Sequence, residues 1–259
     1  TAQSNYNVSI GNNSMDAALN GALYNTAVGY EAATQITAGD SNVMVGYRAG
    51  YVCNSASSNN TYIGFESGGN TGAEQNQNNT AVGSTALKAI TTGGQNVVVG
   101  TSAGAAITTG ENNTFVGFQA GDGTDDGQKN VIIGYNAGSA NLQNDNVMIG
   151  YQAGLTSTGN HNICIGINTM VDVDVNSTAS NSAGNIFIGS NAGSGTWNAT
   201  GKEYIVGIGY GALSGALTSG ANNTVAIGQY ALAALTSGAN NLAVGYQALT
   251  AVTSGAHNA

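Results

Sequence analysis

The sequence predicts an all-β fold, a parallel β-solenoid or β-roll of about fourteen coils with about 18 residues in each. Three observations carry this reading. A β-branched residue followed by glycine recurs at near-constant intervals along the 259 residues. The positions around that glycine are strongly typed. The chain has 40 glycines and no proline, as an array of short strands and tight turns requires when no strand can spare an N–H.

The anchoring glycines are Gly11, Gly29, Gly46, Gly64, Gly83, Gly100, Gly117, Gly134, Gly150, Gly166, Gly189, Gly209, Gly228 and Gly245. Ile or Val precedes each one, from Ile10 to Val244. Three residues before stands Val, Thr, Ile or Leu, and four before stands Asn in twelve copies, among them Asn25, Asn42, Asn96, Asn130 and Asn241. Tyr or Phe often follows, as in Tyr30, Tyr47, Phe65, Phe118, Tyr135 and Tyr151. Ala stands three residues after the glycine in eleven copies, followed by Gly or Leu in most. The unit reads N-[VT]-x-[IV]-G-[YF]-x-A-[GL]. A second signature, Ile/Leu/Val-Thr-x-Gly, follows in many copies, for example Ile90 to Gly93 and Leu235 to Gly238. It predicts a second short strand in each coil. Gly, Asn and β-branched residues all disfavour helix.

Period-2 alternation assigns the faces. Positions −3, −1, +1 and +3 relative to the glycine share one apolar face. This predicts a continuous buried ladder through Ile10, Val28 and Val45. Position −2 is also mostly apolar, with Phe115, Ile132, Met148, Cys164 and Phe187 among its members. A single coil has one inside, so a second apolar face predicts a homo-oligomer, with these five residues as its interface. Stacked amides of the repeat Asn are expected to bond from rung to rung. At the usual strand spacing fourteen coils make a rod on the order of 65 Å long.

Composition excludes several function classes. Lys plus Arg number 4 against 13 Asp plus Glu, a net charge of −9, which argues against nucleic acid and against anionic membrane surfaces. No apolar run reaches the ~20 residues of a membrane span, so no membrane insertion is expected. Cys53 and Cys164 form no metal-binding motif with the two histidines, and no cofactor is implied. About seven coils apart, roughly 33 Å, they cannot pair within one chain.

Residues 1–259 read as a single repeat array without a domain boundary, and as a segment of a longer fibre or filament. Two long intervals, Asn168 to Asn185 and Gly193 to Tyr204, are expected to bulge from one side.

Units such as NTVAIGQYAL (Asn223 to Leu232) and NLAVGYQAL (Asn241 to Leu249) resemble repeats of phage and virus tail-fibre proteins. They are also similar to the head repeats of trimeric autotransporter adhesins. The resemblance covers essentially the whole chain, although these repeats are longer and carry tyrosines after the glycine. It implies a homotrimeric parallel β-roll on a virion or cell surface, extracellular in location, that presents loops to a host receptor or surface glycan. The alternative is a self-assembling extracellular filament or matrix protein, with head-to-tail growth and no specific receptor.

Candidate chemistry is sparse. Asp122, Asp125 and Asp126 in GDGTDDG are weak candidate Ca²⁺ ligands, but the spacing and final Glu of an EF-hand are missing, and a solvated turn is the favoured reading. In the insertions, Trp197 is a candidate sugar-stacking residue, with Asp172, Asp174 and Lys202 as further binding candidates. No Ser-His-Asp set or carboxylate pair stands out, so the sequence predicts a protein that is not an enzyme.

Overall fold

The computed structural model describes residues 3–54, 57–69, 76–171, 182–195, 203–217 and 220–259. Thr1–Lys129 and Asn130–Ala259 form two compact units, each a parallel β-solenoid. The first holds β1 (Val8–Ile10), β2 (Thr26–Val28), β3 (Val43–Val45), β4 (Thr61–Ile63), β5 (Thr80–Val82), β6 (Val97–Val99) and β7 (Thr114–Val116). The second holds β8 (Val131–Ile133), β9 (Val147–Ile149), β10 (Ile163–Ile165), β11 (Ile186–Ile188), β12 (Val206–Ile208), β13 (Val225–Ile227) and β14 (Leu242–Val244). Each strand supplies one rung and pairs in parallel with the next coil of its unit, as in Val43↔Thr61 and Val206↔Val225.

Each coil closes through sharp left-handed bends. In the coil of Gly46 these fall at Ser41 (φ 60), Arg48 (φ 53) and Gly50 (φ 58), with Gly46 itself at φ 135. Left-handed backbone is costly for side-chain-bearing residues. Here it aims the N–H groups at neighbouring coils, that of Gly50 at the Ser67 carbonyl of the next coil and the others at the coil before. Ser41 N donates to the Leu23 carbonyl and Arg48 N to the Tyr30 carbonyl, both at 2.9 Å. Gly46 admits no substitute, because a Cβ there would run into the carbonyl oxygen of Gly64.

The repeat asparagine forms the polar spine of each coil stack. Asn96 Nδ2 donates to Asn79 Oδ1 at 3.0 Å and to the Gly110 carbonyl at 2.9 Å. Its own Oδ1 accepts from Asn113 N at 3.0 Å and Asn113 Nδ2 at 3.1 Å. Asn25, Asn42, Asn60 and Asn79 repeat the pattern, as do Asn146 and Asn162. All these asparagines are buried, so the amide satisfies backbone groups that water cannot reach. Ile205 and Thr224 break the column of asparagines, and Asn185 Oδ1 there accepts the Ile205 N–H from the next coil, at 3.0 Å.

Inside the coil, position −2 of the strand faces position +4. Their volumes compensate. Met44, Tyr62, Val98, Phe115, Ile132, Met148 and Phe187 stand in coils with Gly at +4, from Gly50 to Gly193. Ala81, Gly207, Ala226 and Ala243 stand in coils with Leu87, Leu213, Leu232 and Leu249. The packing explains the rule. A Cβ on Gly68 would enter the Tyr62 ring, and one on Gly50 would meet Met44 Sδ. These coils thus fill the same interior space from one side or the other, as close packing demands, whereas the coil of Ala27 and Ala33 has a small residue on both sides. The alanines at +3 and the apolar residues Ile36, Ile90, Ile107, Leu217 and Leu235 complete this core.

Three expectations are corrected. The −3 and −1 residues are not the core. Ile10 is 59% exposed and Val99 38%, whereas every strand centre from Ala27 onward is buried. The left-handed bend at +2 breaks the period-2 parity, so +3 points inward while −3, −1 and +1 point outward. By the same geometry Phe115, Ile132, Met148, Cys164 and Phe187 are fully enclosed by their own chain. They cannot form an interface between chains, and Cys164 cannot meet its counterpart in a neighbour. Finally, the Ile-Thr-x-Gly stretch is a bend rather than a second strand. Around Gly93 the N–H groups of Thr91, Thr92 and Gly93 all converge on the Thr108 carbonyl, at 2.9 to 3.2 Å.

Candidate functional site

The outward sheet face is the most distinctive surface of each unit. Two columns run across it. The −3 column of the first unit reads Val8, Thr26, Val43, Thr61, Thr80, Val97 and Thr114, and the −1 column reads Ile10, Val28, Val45, Ile63, Val82, Val99 and Val116. The second unit continues with Val131, Val147, Ile163, Ile186, Val206, Val225 and Leu242 beside seven Ile or Val residues. No charged residue stands in either column. β-branched side chains suit this position because a pleated parallel sheet packs them against their rung neighbours. With strands about 4.8 Å apart and three residues about 10 Å long, each unit presents roughly 340 Å² of flat, nearly apolar surface. That is the size of the largest exposed patch on a typical monomer, which often marks an interaction site.

Aromatic columns flank this face. At +1, Tyr30 stacks on Tyr47 with ring centroids 5.5 Å apart, and Tyr47 on Phe65 at 5.0 Å. Tyr135 stacks on Tyr151 at 5.3 Å in the second unit. On the opposite margin, at −5, Tyr6 stacks on Tyr24 at 5.2 Å.

Beside the first aromatic column lies an ion pair that the sequence reading passed over. Arg48 Nε donates to Glu31 Oε2 at 2.6 Å. The guanidinium also lies 5.3 Å from the Tyr47 ring centroid and 5.1 Å from that of Tyr51. Hydrogen bonding from Arg48 holds the Glu31 carboxyl below its ordinary range, and the hydrogen bond to Glu31 raises the Tyr30 phenol. The signal was legible: opposite charges at the same repeat position in consecutive coils. Lys88 Nζ, from position +5 of the next coil, also meets Glu66 Oε2 at 2.7 Å.

The remaining candidates do not converge. Asp125 accepts a hydrogen bond from Thr108 Oγ1, and its carbonyl accepts from Thr108 N and Gly110 N, as a turn residue does. Among the described residues no group of three His, Cys, Asp or Glu side chains is placed to hold a metal. Trp197, Asp172, Asp174 and Lys202 lie outside the described residues, as does most of both insertions. Two shallow recesses, one lined by Gln77, Asn78, Thr92, Gln95 and Glu111 and the other by Gln152, Asn168, Val171, Asn191 and Ser194, are walled mainly by amides and hydroxyls. Cys53 and Cys164 are buried free thiols, and burial pushes the Cys53 thiol up to about 12. Among the described residues no helix is long and apolar enough to cross a membrane. Comparison with protein-family models, with curated proteins and with solved structures finds no match to this chain.

Proposed function

We propose that this chain is a structural fibre segment, extracellular and carried on a virion or cell surface. It assembles as a parallel homo-oligomer through its outward sheet face and presents its insertions for attachment to a surface glycan or receptor. The role is non-catalytic. The observation that carries the assembly is the uncharged face of Val, Ile, Leu and Thr, which a solitary soluble chain gains nothing by exposing. A copy related by rotation about an axis running along the coil stack would meet it with the same columns, as closed symmetry requires. Three copies are the number that the resemblance to adhesin heads implies. The attachment role likewise rests on that resemblance.

Light scattering on the purified protein tests the reading. The expected mass is three times the 25.6 kDa of one chain. Substituting Ile63→Asp and Val99→Asp places charges on the face and should yield folded monomers, since an unpaired charge buried at an interface costs several kcal/mol. A wild-type chain that stays monomeric at micromolar concentration overturns the assembly, and unchanged binding to host surfaces after deletion of both insertions overturns the attachment.

A further inference from the structure

The tyrosine pairs on the two margins have a chemistry that neither core nor assembly uses. Tyr6 and Tyr24, Tyr30 and Tyr47, and Tyr135 and Tyr151 each join the same repeat position of consecutive coils. Their rings are nearly parallel, within 5 to 9°, with centroids 5.2 to 5.5 Å apart. All six are accessible, from 38% exposure at Tyr47 to 73% at Tyr6.

The groups that ordinarily intercept oxidants are withdrawn. Cys53 and Cys164 are fully buried, Met44 and Met148 likewise, and Met15 and Met170 nearly so. Oxidation of sulfur follows thiolate character and exposure, and these residues have neither. Among the described residues an oxidant in solution therefore meets phenols first. At Tyr30 a carboxylate neighbours the phenol and raises it, because Glu31 is held in position by Arg48.

We propose that these pairs are sites of dityrosine cross-linking between consecutive coils, driven by a peroxide and a haem peroxidase. Each phenol gives up one electron and one proton and becomes a phenoxyl radical. The two radicals join by a new carbon–carbon bond between the ring carbons ortho to the oxygens. The hydrogens on those carbons then shift to oxygen and restore both phenols. The chain loses two hydrogens per link, and one hydrogen peroxide is cleaved and reduced to two waters. Rung spacing of about 4.8 Å keeps the partners adjacent while the exposed rings turn to bring their edges together. The link staples one coil covalently to the next.

The test is treatment of the intact protein with hydrogen peroxide and a haem peroxidase, followed by denaturing electrophoresis and peptide mapping of the single-chain band. The expected result is dityrosine fluorescence in that band, with a linked peptide joining Tyr30 to Tyr47. Tyr47→Phe should abolish that peptide and leave the Tyr6–Tyr24 and Tyr135–Tyr151 links within twofold of their original yield. The proposal is overturned if the single-chain band carries no coil-to-coil link. It is equally overturned if links occur only between chains, or if oxidation falls on methionine and cysteine while the tyrosines stay intact.

Discussion

Replacing Asn96 by Ala removes four side-chain hydrogen bonds at the centre of the first unit's polar spine. Two of them are made to backbone groups. The Gly110 carbonyl accepts from Asn96 Nδ2 at 2.9 Å, and Asn113 N donates to Asn96 Oδ1 at 3.0 Å. Asn79 Oδ1 retains the Asn96 backbone N–H at 3.0 Å, and Asn113 Nδ2 retains the Gly127 carbonyl at 2.8 Å. The loss is therefore counted on the two buried backbone groups that give up these bonds. Each costs about 1–3 kcal/mol, giving about 4 kcal/mol in all. For a chain of this size that corresponds to a fall in Tm of roughly 8–16 °C. Urea unfolding of wild type and Asn96→Ala, followed by circular dichroism, measures it directly. Thr101→Ala, on an exposed turn, is the control and should lie within about 0.5 kcal/mol of wild type. A loss below about 1 kcal/mol for Asn96→Ala would refute the reasoning, because the spine would then be an ornament on a core stable without it.

The volume rule predicts non-additivity. Phe115→Ala alone should cost about 3–5 kcal/mol through its cavity, and Gly121→Leu alone should clash with the Phe115 ring. The double variant copies the Ala81–Leu87 arrangement and should recover at least about 2 kcal/mol of the summed loss; an additive double-mutant cycle would disprove compensation. The thiols give a pH prediction. With Cys53 raised to about 12 in the folded chain against an ordinary value near 9, the unfolded state ionises first, so stability should decline as pH rises through about 9. Cys164 and Tyr62, shifted upward by burial, act in the same direction. Stability that held constant between pH 8 and pH 11 would contradict it. Thiol-specific reagents should label neither cysteine until the chain unfolds, and rapid labelling of the native protein would contradict their burial.

Fold class, strand positions and the asparagine spine were legible because each repeats with fixed chemistry. Asn96 and its relatives stand at the same offset, and only an amide can donate and accept along one column. The inside and outside of the strand were not legible from alternation alone. Val28 and Ala27 are both apolar, and the bend at +2 that decides between them shows only as a non-repeating residue such as Glu31 or Arg48. A different signal was present. Thr replaces Val freely at −3, as at Thr61 and Thr114, which suits an outward column, while every large residue at −2 is answered by a glycine at +4. Covariation within a coil, rather than hydrophobicity, marks the core. Glu31 and Arg48 both stand at +2 in consecutive coils, so their meeting follows from the register of the repeat and not from composition.

The amide spine also has a direction. Asn42 donates both its backbone N–H and its Nδ2 to Oδ1 of Asn25, in the coil that precedes it, and Asn60 does the same to Asn42. Between the repeat asparagines donation runs from the later coil to the earlier one, while Nδ2 also donates forward to a carbonyl of the coil that follows, as in Asn42 to Ser57 at 2.8 Å. A chain leaving the ribosome therefore brings each new coil to one whose Oδ1 is in place to accept two bonds and whose Nδ2 is in place to donate one. Such a stack can be laid down vectorially during synthesis, with every coil serving as the template for the one translated after it.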